Sequence, residues 1–346
     1  TASPYRAEAR RFIGRVCALP TSGESWMLRS FLCYALFHKS EAILTDPANP
    51  LPPFRRLLRN AERMLDVSSL VLSRMALRPS KEMFHSVEEA TGEHYRRLFG
   101  AFRKQEFDEA ARLLRTRFER NRVPSEVLRG VALDAGCGGG RYSVALKRLG
   151  FKQVVGLDVS KKMVKEATRR IRQERIGGVR FVSGSTLRLP FRSGSFDFVF
   201  SNGVLHHTTD WKRGVAELLR VLKPGGYGFL YLIERPGGIF WDRTELLRIL
   251  MRGVEREYAY KIFELLGVPP NRRFYILDHI MVPINLRLRP EEIRRELARR
   301  GAQDIRRFER GTDFDRVEQI WRKVRYAGIR YGAGENRYFF RKGEGR

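Results

Sequence analysis

The chain has 346 residues, enough for two ordinary domains of about 150 residues each. With 42% apolar and 31% charged residues it can bury a sizeable core, which excludes global disorder. The longest apolar run, residues 26–37, is short and contains Arg29, so no membrane-spanning helix is predicted. Three cysteines without a CxxC pair exclude a disulfide framework and a cysteine zinc site, and no metal is expected. The sequence does not begin with a secretory signal pattern, so we expect a reducing, cytoplasmic setting.

The charge balance is strongly basic, with 67 Lys and Arg against 39 Asp and Glu and a net charge of +28. The excess is spread along the whole chain and is carried mainly by arginine. One interpretation is an arginine-rich surface whose side-chain stems cover apolar area. The other is electrostatic steering of an anionic partner, such as RNA, an anionic lipid head group or a phosphorylated metabolite.

Residues 1–127 have helical periodicity and predict an α-helical domain without a recognisable chemical motif. Apolar residues recur at helical spacing in four stretches, and a proline-rich turn at 47–53 separates the first from the second. The predicted helices are 26–43, 54–65, 88–102 and 105–121.

From residue 128 onward the chain predicts a second domain of the α/β class, because short apolar runs alternate with amphipathic helices. Such alternation implies right-handed crossovers and a mostly parallel, doubly wound sheet covered on both faces. Lys223 to Gly226 read as a helix stop. The predicted strands are 131–134, 153–158, 179–183, 196–201, 227–233, 303–309 and 337–341, and the predicted helices are 141–149, 161–176, 211–222, 290–300 and one near 313–326.

A glycine-rich loop, residues 133–141, follows the first predicted strand and opens a helix. Glycines at 136, 138 and 140 allow a sharp turn and a close approach to a ligand. The loop is neither a dinucleotide G-x-G-x-x-G motif, because Arg141 stands at the sixth position, nor a P-loop. Asp158 ends the second strand, where a carboxylate can accept both hydroxyls of a ribose. Together these features predict a nucleoside ligand.

Further motifs occur in order at 189–191 (LPF), 195–199 (SFDFV), 205–207 (LHH) and 219–226 (LRVLKPGG). With the glycine loop they resemble the class I S-adenosylmethionine-dependent methyltransferases, in the small-molecule (type 11) branch that includes the ubiquinone and menaquinone methyltransferases. The resemblance is strong over residues 125–235 and weak over 285–342. It implies a Rossmann-like fold with a seven-stranded sheet and S-adenosyl-L-methionine as the cofactor.

The resemblance also implies roles for matching positions. Ser185 and Thr186 stand where the family usually has Asp-Ala, so recognition of the adenine amino group would be weaker or rearranged. The remaining implied cofactor contacts are Gly136, Gly138 and Gly140 along the methionine portion, Asp134 beneath its ammonium group, Asp158 at the ribose, Val159 and Met163 at the adenine, and Asn202 and Gly203 at the methyl sulfonium.

His206 and His207 follow the fourth predicted strand, at the carboxyl edge of the sheet where ligands bind in such folds. Histidine titrates near neutral pH, so one of the two is the candidate general base for the acceptor. The alternative is that His206 packs or caps the next helix, with Asp210 orienting it.

Residues 236–288 form an aromatic-rich insert that we expect to cover the acceptor site as a lid. Helical packing would bury the same rings equally well. Asp278 and His279 have the residue types of an acid–base pair, but adjacent side chains do not face each other in a helix or a strand. The polar and aromatic candidates of the insert are Trp241, Tyr258, Tyr260, Phe263, Phe274, Tyr275, Asp278 and His279.

Three functions are compatible with these features. The first is methyl transfer to oxygen, nitrogen or carbon of a small, possibly anionic, acceptor. The second, prompted by the net charge, is an RNA methyltransferase or ribonucleoprotein assembly factor. Two observations disfavour it: the sequence 201–207 lacks the motif of exocyclic-amine methyltransferases, and residues 1–127 contain no recognisable RNA-binding module. The third is a non-catalytic scaffold, against which the intact glycine loop and Asp158 argue. Nothing in the sequence predicts an oligomeric state.

Overall fold

The computed structural model of the protein describes residues 3–21, 23–69 and 104–344. The helix predicted at 88–102 lies outside the described residues. The contacts divide the described chain into two compact units. One contains residues 3–69, Gly237–Val282 and Val324–Gly332, and the other contains residues 104–236, Pro283–Lys323 and 333–344.

The elements of the described ranges follow closely the alternation expected from the sequence. The helices are α1 Arg6–Ala18, α2 Trp26–Thr45, α3 Leu51–Ser69, α4 Lys104–Arg120, α5 Arg141–Leu149, α6 Lys161–Gln173, α7 Trp211–Val221, α8 Gly238–Leu250, α9 Arg256–Leu265, α10 Pro270–Met281, α11 Pro290–Arg299, α12 Arg316–Trp321 and α13 Ala327–Tyr331. The strands are β1 Val131–Ala135, β2 Gln153–Asp158, β3 Val179–Ser183, β4 Phe196–Asn202, β5 Leu222–Leu232, β6 Ala302–Arg307 and β7 Asn336–Lys342.

The seven strands form one sheet in the order β3-β2-β1-β4-β5-β7-β6. Strands β1 to β5 pair in parallel, whereas β7 is antiparallel to both β5 and β6. The strand order reverses between β1 and β4: successive strands are added on one side of β1 up to β3 and on the other side from β4 onward. Open α/β sheets bind ligands at such a point, at their carboxyl edge. The predicted α/β class with a mostly parallel, seven-stranded, Rossmann-like sheet is therefore confirmed.

Each face of the sheet has its own apolar core. On one face, α4 and α5 cover the strands, and the Phe118 ring lies 5.6 Å from the Phe229 ring and 6.5 Å from the Phe198 ring. On the other face, α7 and α11 contribute Leu218, Leu219 and Leu297. The division expected at residue 127 differs from these contacts, because the apolar stripe of α4 is buried against the sheet. Periodicity predicts which face of a helix is buried but not what buries it.

The helical unit joins the N-terminal helices to α8, α9 and α10 of the insert. The Arg29 side chain is buried within it, and its Nη atoms donate to the carbonyls of Leu250 at 2.8 Å and Leu19 at 3.2 Å. Two insert rings contact α2, Phe263 against Tyr34 and Tyr275 against Phe37. Because of these hydrogen bonds, the charged side chain within the apolar run 26–37 is buried in this unit and is not exposed to solvent. Within the described ranges, no helix combines the length and the apolar character needed to cross a membrane.

Several insert aromatics thus pack within this unit, and Trp241 and Phe263 are fully buried there. Tyr258 contacts Trp26, Tyr260 lies under the Arg273 guanidinium, and His279 lies against Trp241 and Tyr275. The side chains of Phe274 and Asp278 lie outside the described residues. The lid over the acceptor site stays a prediction.

Candidate cofactor and acceptor site

The glycine loop at the end of β1 turns through left-handed backbone conformations that only glycine adopts without strain. Gly136 has φ 90° and Gly140 has φ 82°. A Cβ atom at Gly136 would lie 2.4 Å from the methyl carbons of Val204, and one at Gly140 would lie 2.5 Å from Cζ of Phe181. The loop therefore needs glycine for its conformation and for its close packing. Gly138, between them, has φ 51°.

Asp158 holds this loop against the end of β2. The backbone N–H of Gly138 donates to Oδ2 of Asp158 at 2.8 Å, and the N–H of Ser160 donates to Oδ1 at 2.9 Å. Gly136 N–H also donates to the carbonyl of Leu157 at 2.8 Å. Burial raises the pKa of Asp158, while the two backbone N–H groups oppose that rise. Each carboxylate oxygen has a second acceptor site, so the group can brace the loop and still accept hydroxyls.

Asp134 is buried at the end of β1 and accepts a hydrogen bond from the hydroxyl of Ser143 on α5 at 2.6 Å. Burial raises the pKa of Asp134 to about 7, against the lowering effect of the Ser143 hydrogen bond, and the charge of Asp158 raises it further. The carboxylate is therefore poised to ionise near neutral pH when a cation approaches. Sequence reasoning missed Ser143, because nothing marks a serine inside a helix as the partner of a strand residue.

The residues that are predicted to contact the adenine differ in their exposure to solvent. Val159 is 40% exposed beside Asp158, whereas Met163 is buried in α6. After β3, the hydroxyl of Ser185 accepts the N–H of Leu187 at 3.2 Å, and Thr186 is buried. The N–H of Gly184 donates to the carbonyl of Asp158 at 3.0 Å and joins this turn to the loop. Val159 and Gly184 therefore both lie next to Asp158, and Met163 stays a prediction as an adenine contact.

Asn202 ends β4 and Gly203 follows it with φ 79°. Gly203 N–H donates to the carbonyl of Tyr231 on β5 at 3.2 Å. A Cβ at Gly203 would make ordinary van der Waals contact with the Tyr231 ring at 3.8 Å and with Cε1 of His206 at 4.0 Å. Tyr231 and His206 therefore flank the backbone at the end of β4. Tyr231 was not among the residues that the sequence singled out.

The two histidines lie in a short turn after β4 and are held differently. His206 is buried, and its Nδ1 accepts the backbone N–H of Ile233 at 3.3 Å. Nδ1 of His207 lies 2.7 Å from the carbonyl oxygen of Ile284. A carbonyl only accepts, so Nδ1 of His207 carries the proton and the lone pair of the neutral ring is at Nε2. Asp210 accepts the N–H of Arg213 at the start of α7, so it caps that helix.

Residues 133–230 match the family described as Methyltransferase domain. This segment is a class I S-adenosylmethionine-dependent methyltransferase domain. All the predicted cofactor residues and both histidines lie inside it, and the cofactor of the family is S-adenosyl-L-methionine.

Curated relatives match the same part of the chain. A demethylmenaquinone methyltransferase of Lactococcus lactis is 38% identical over 96 residues, which is 27% of this chain and 38% of that protein. A 27-O-demethylrifamycin SV methyltransferase of Amycolatopsis mediterranei is 32% identical over 126 residues, 35% of this chain and 46% of that protein. The chain thus spans less than half the length of these relatives. Among solved structures, an S-adenosyl-L-methionine-dependent methyltransferase described as putative, from Methanococcus maripaludis, is 17% identical, with TM-score 0.42 over 78% of this chain and 99% of that one.

Proposed function

We propose that the protein transfers a methyl group from S-adenosyl-L-methionine to oxygen, nitrogen or carbon of a small-molecule acceptor. The observation that supports this most directly is the hydrogen-bonded unit of glycine loop and Asp158, inside a methyltransferase domain. The names of the two curated relatives, a quinone-precursor enzyme and an antibiotic-precursor enzyme, favour a small molecule over RNA.

The residues at the carboxyl edge suit this cofactor in charge and in shape. Asp158 would accept the ribose hydroxyls on the lone pairs that its backbone contacts leave, and Asp134, ionised, would balance the ammonium group. The further proposed contacts are Gly136, Gly138 and Gly140 at the methionine portion, Val159, Met163, Ser185 and Thr186 at the adenine, and Asn202 and Gly203 at the methyl group.

When bound, S-adenosyl-L-methionine supplies a methyl group on a sulfonium that is already a good leaving group. The chain's own residues then need to align the acceptor and, where its pKa requires it, remove a proton. We propose His207 for that proton, because its Nδ1–H is committed to the Ile284 carbonyl and Nε2 is the basic nitrogen. Nδ1 of His206 accepts the Ile233 N–H, so His206 is a positioning residue that fixes the turn.

Methyl transfer is tested by incubating the intact protein with S-adenosyl-L-methionine labelled in its methyl group, with a panel of small molecules in one set of reactions and total RNA in another. Demethylmenaquinone, the substrate named for one relative, is the first member of the panel. Label should appear in one acceptor with wild-type protein and with the Glu174→Ala control, which removes an exposed carboxylate. The Asp158→Ala variant should transfer at least tenfold less at a subsaturating concentration of S-adenosyl-L-methionine. Label in total RNA and in no small molecule would overturn the proposal in favour of an RNA methyltransferase.

A further inference from the structure

A basic groove lies at the β6 edge of the sheet, far from the glycine loop. It has a volume of about 430 Å³ and is lined by the C-terminal end of α4, by α11 and by the chain from Ile305 to Arg310. Four strand positions separate β6 from β1 in the sheet, which corresponds to about 19 Å at the usual strand spacing. The groove is therefore separate from the proposed nucleoside site.

Arginine dominates the lining of this groove. Six of the ten lining residues are arginines and one is a glutamate, whereas arginine makes up about one residue in six of the whole chain. A high arginine content spread over the whole surface would not concentrate arginines in one groove in this way. The arginines are Arg120, Arg122, Arg294, Arg306, Arg307 and Arg310.

Two of the six are neutralised by nearby carboxylates. Arg310 forms a two-point ion pair with Glu318, at 2.9 and 3.0 Å, and its guanidinium lies over the ring of Trp321. Arg120 lies 3.2 Å from Asp313 and 3.4 Å from Glu318. These two side chains therefore add little net positive charge.

Three of the other four are oriented by uncharged groups. Arg294 donates to the carbonyl of Ile305 at 2.9 Å, Arg307 donates to the carbonyl of Gly334 at 3.1 Å, and the Arg306 guanidinium lies 5.4 Å from the centre of the Phe339 ring. Within the described ranges, neither these three nor the exposed Arg122 forms an ion pair with a carboxylate. Carbonyls and rings orient a guanidinium without cancelling its charge, and each guanidinium has five N–H donors. The groove is thus pre-organised and positively charged.

We propose that this groove is a second binding site, which takes the phosphate group of a small phosphorylated molecule. Planar guanidinium groups match phosphate oxygens in charge and in two-point geometry. The volume suits a small ligand of about nucleotide size. A concave groove of this limited volume favours such a ligand over an extended polymer or a flat membrane surface.

The test is calorimetric titration of the intact protein with inorganic pyrophosphate, in the presence of saturating S-adenosylhomocysteine to keep the nucleoside site filled. The double variant Arg294→Ala/Arg306→Ala should bind pyrophosphate at least tenfold more weakly than wild type. The control, Arg129→Ala/Arg172→Ala, removes the same charge from exposed positions outside the groove and should stay within twofold. Both doubles should bind S-adenosylhomocysteine as wild type does, which shows that they fold.

Two parallel arms identify the source of the phosphate: vesicles containing phosphatidylglycerol and a single-stranded RNA oligonucleotide. Pyrophosphate binding that is lost in the groove double alone, with no groove-dependent binding of vesicles or RNA, supports the proposal. Groove-dependent binding of vesicles or RNA would assign the phosphate to that source and overturn the assignment to a small molecule. Equal losses in both doubles would overturn it, because net charge alone would then explain the affinity. Absence of pyrophosphate binding by the wild type would also overturn it.

Discussion

The carboxylate of Asp158 accepts the backbone N–H of Gly138 at 2.8 Å, although the two residues are twenty positions apart. The end of β2 therefore fixes the loop that follows β1. A group that binds the ribose hydroxyls and also braces the glycine loop would couple the two halves of the cofactor site. Substitutions at Asp158 should accordingly affect more than one contact of the ligand.

Binding of S-adenosylhomocysteine should release a proton near neutral pH. The pKa of Asp134 is about 7 without ligand, and a ligand ammonium group would lower it, so affinity should rise with pH through that value. Calorimetry at pH 6.5 in buffers of different ionisation enthalpy measures the proton count. The release should disappear in Asp134→Asn, and an unchanged release there would assign the proton to another group.

The same carboxyl should make the protein less stable as pH rises from about 4 to 7. Its pKa is raised in the folded state, so the folded protein binds more protons than the unfolded chain in that window, and stability falls with increasing pH. The Asp134→Asn variant should lack this part of the pH dependence of the melting temperature. Parallel melting profiles for wild type and variant over this range would contradict the account.

The two histidines should respond differently to substitution. His207→Ala should keep its affinity for S-adenosylhomocysteine and lose roughly 10²–10⁴-fold in turnover, the usual contribution of a positioned general base. The rate of the wild type should rise with pH through one ionisation that this variant lacks. His206→Ala should mainly lower the melting temperature, because it removes a buried ring and the acceptor of the Ile233 N–H. Wild-type turnover in both single variants would show that alignment alone suffices.

A buried ion-pair cluster should stabilise the sheet unit. Asp315 accepts from Arg117 at 2.8 Å through both oxygens and from Arg337 at 2.9 Å, and these arginines hold its pKa well below the usual range. Asp315→Asn should cost about 3 kcal/mol at pH 7, since it removes the carboxylate that pairs with the buried Arg117 and leaves Arg337 with Glu335 at 3.7 Å. Thermal melting with the exposed Glu174→Gln as control measures this.

The loss of stability caused by Asp315→Asn should depend on pH, in the direction set by the lowered pKa of Asp315. A carboxyl with a lowered pKa contributes its stability above the unfolded value of 3.8 and loses it as pH falls further. The difference between wild type and Asp315→Asn should therefore shrink below about pH 4. A difference that is constant down to pH 2 would attribute the loss to packing instead of charge.

The sequence predicts those parts of the fold that depend on local pattern. The glycine loop and Asp158 follow from residue type and spacing, and the strand and helix order follows from periodicity. The helix expected near 313–326 is only the short α12, Arg316–Trp321, and the next helix begins at Ala327. Lys323 adopts φ 53° and Tyr326 φ 64°, and neither residue type signals a left-handed backbone.

Local sequence patterns do not predict contacts between segments that are distant along the chain. Ser143 becomes the partner of Asp134 only when α5 packs on β1. The histidines look equivalent in sequence, and the difference between them arises from the backbone groups of Ile233 and Ile284, both more than twenty residues away. The groove arginines likewise come from α4, α11 and β6, so that their clustering is tertiary.

The most direct test of the proposed cofactor site is calorimetric binding of S-adenosylhomocysteine and its 2′-deoxyribose analogue to wild type, Asp158→Ala and the Glu174→Ala control. Charge-assisted hydrogen bonds to a ribose contribute about 1.5–3 kcal/mol each, so Asp158→Ala should weaken S-adenosylhomocysteine binding at least tenfold. The effect of the substitution should be smaller for the deoxy analogue, which lacks one of the hydroxyls that Asp158 would hold. Unchanged affinity of Asp158→Ala for S-adenosylhomocysteine would contradict the account.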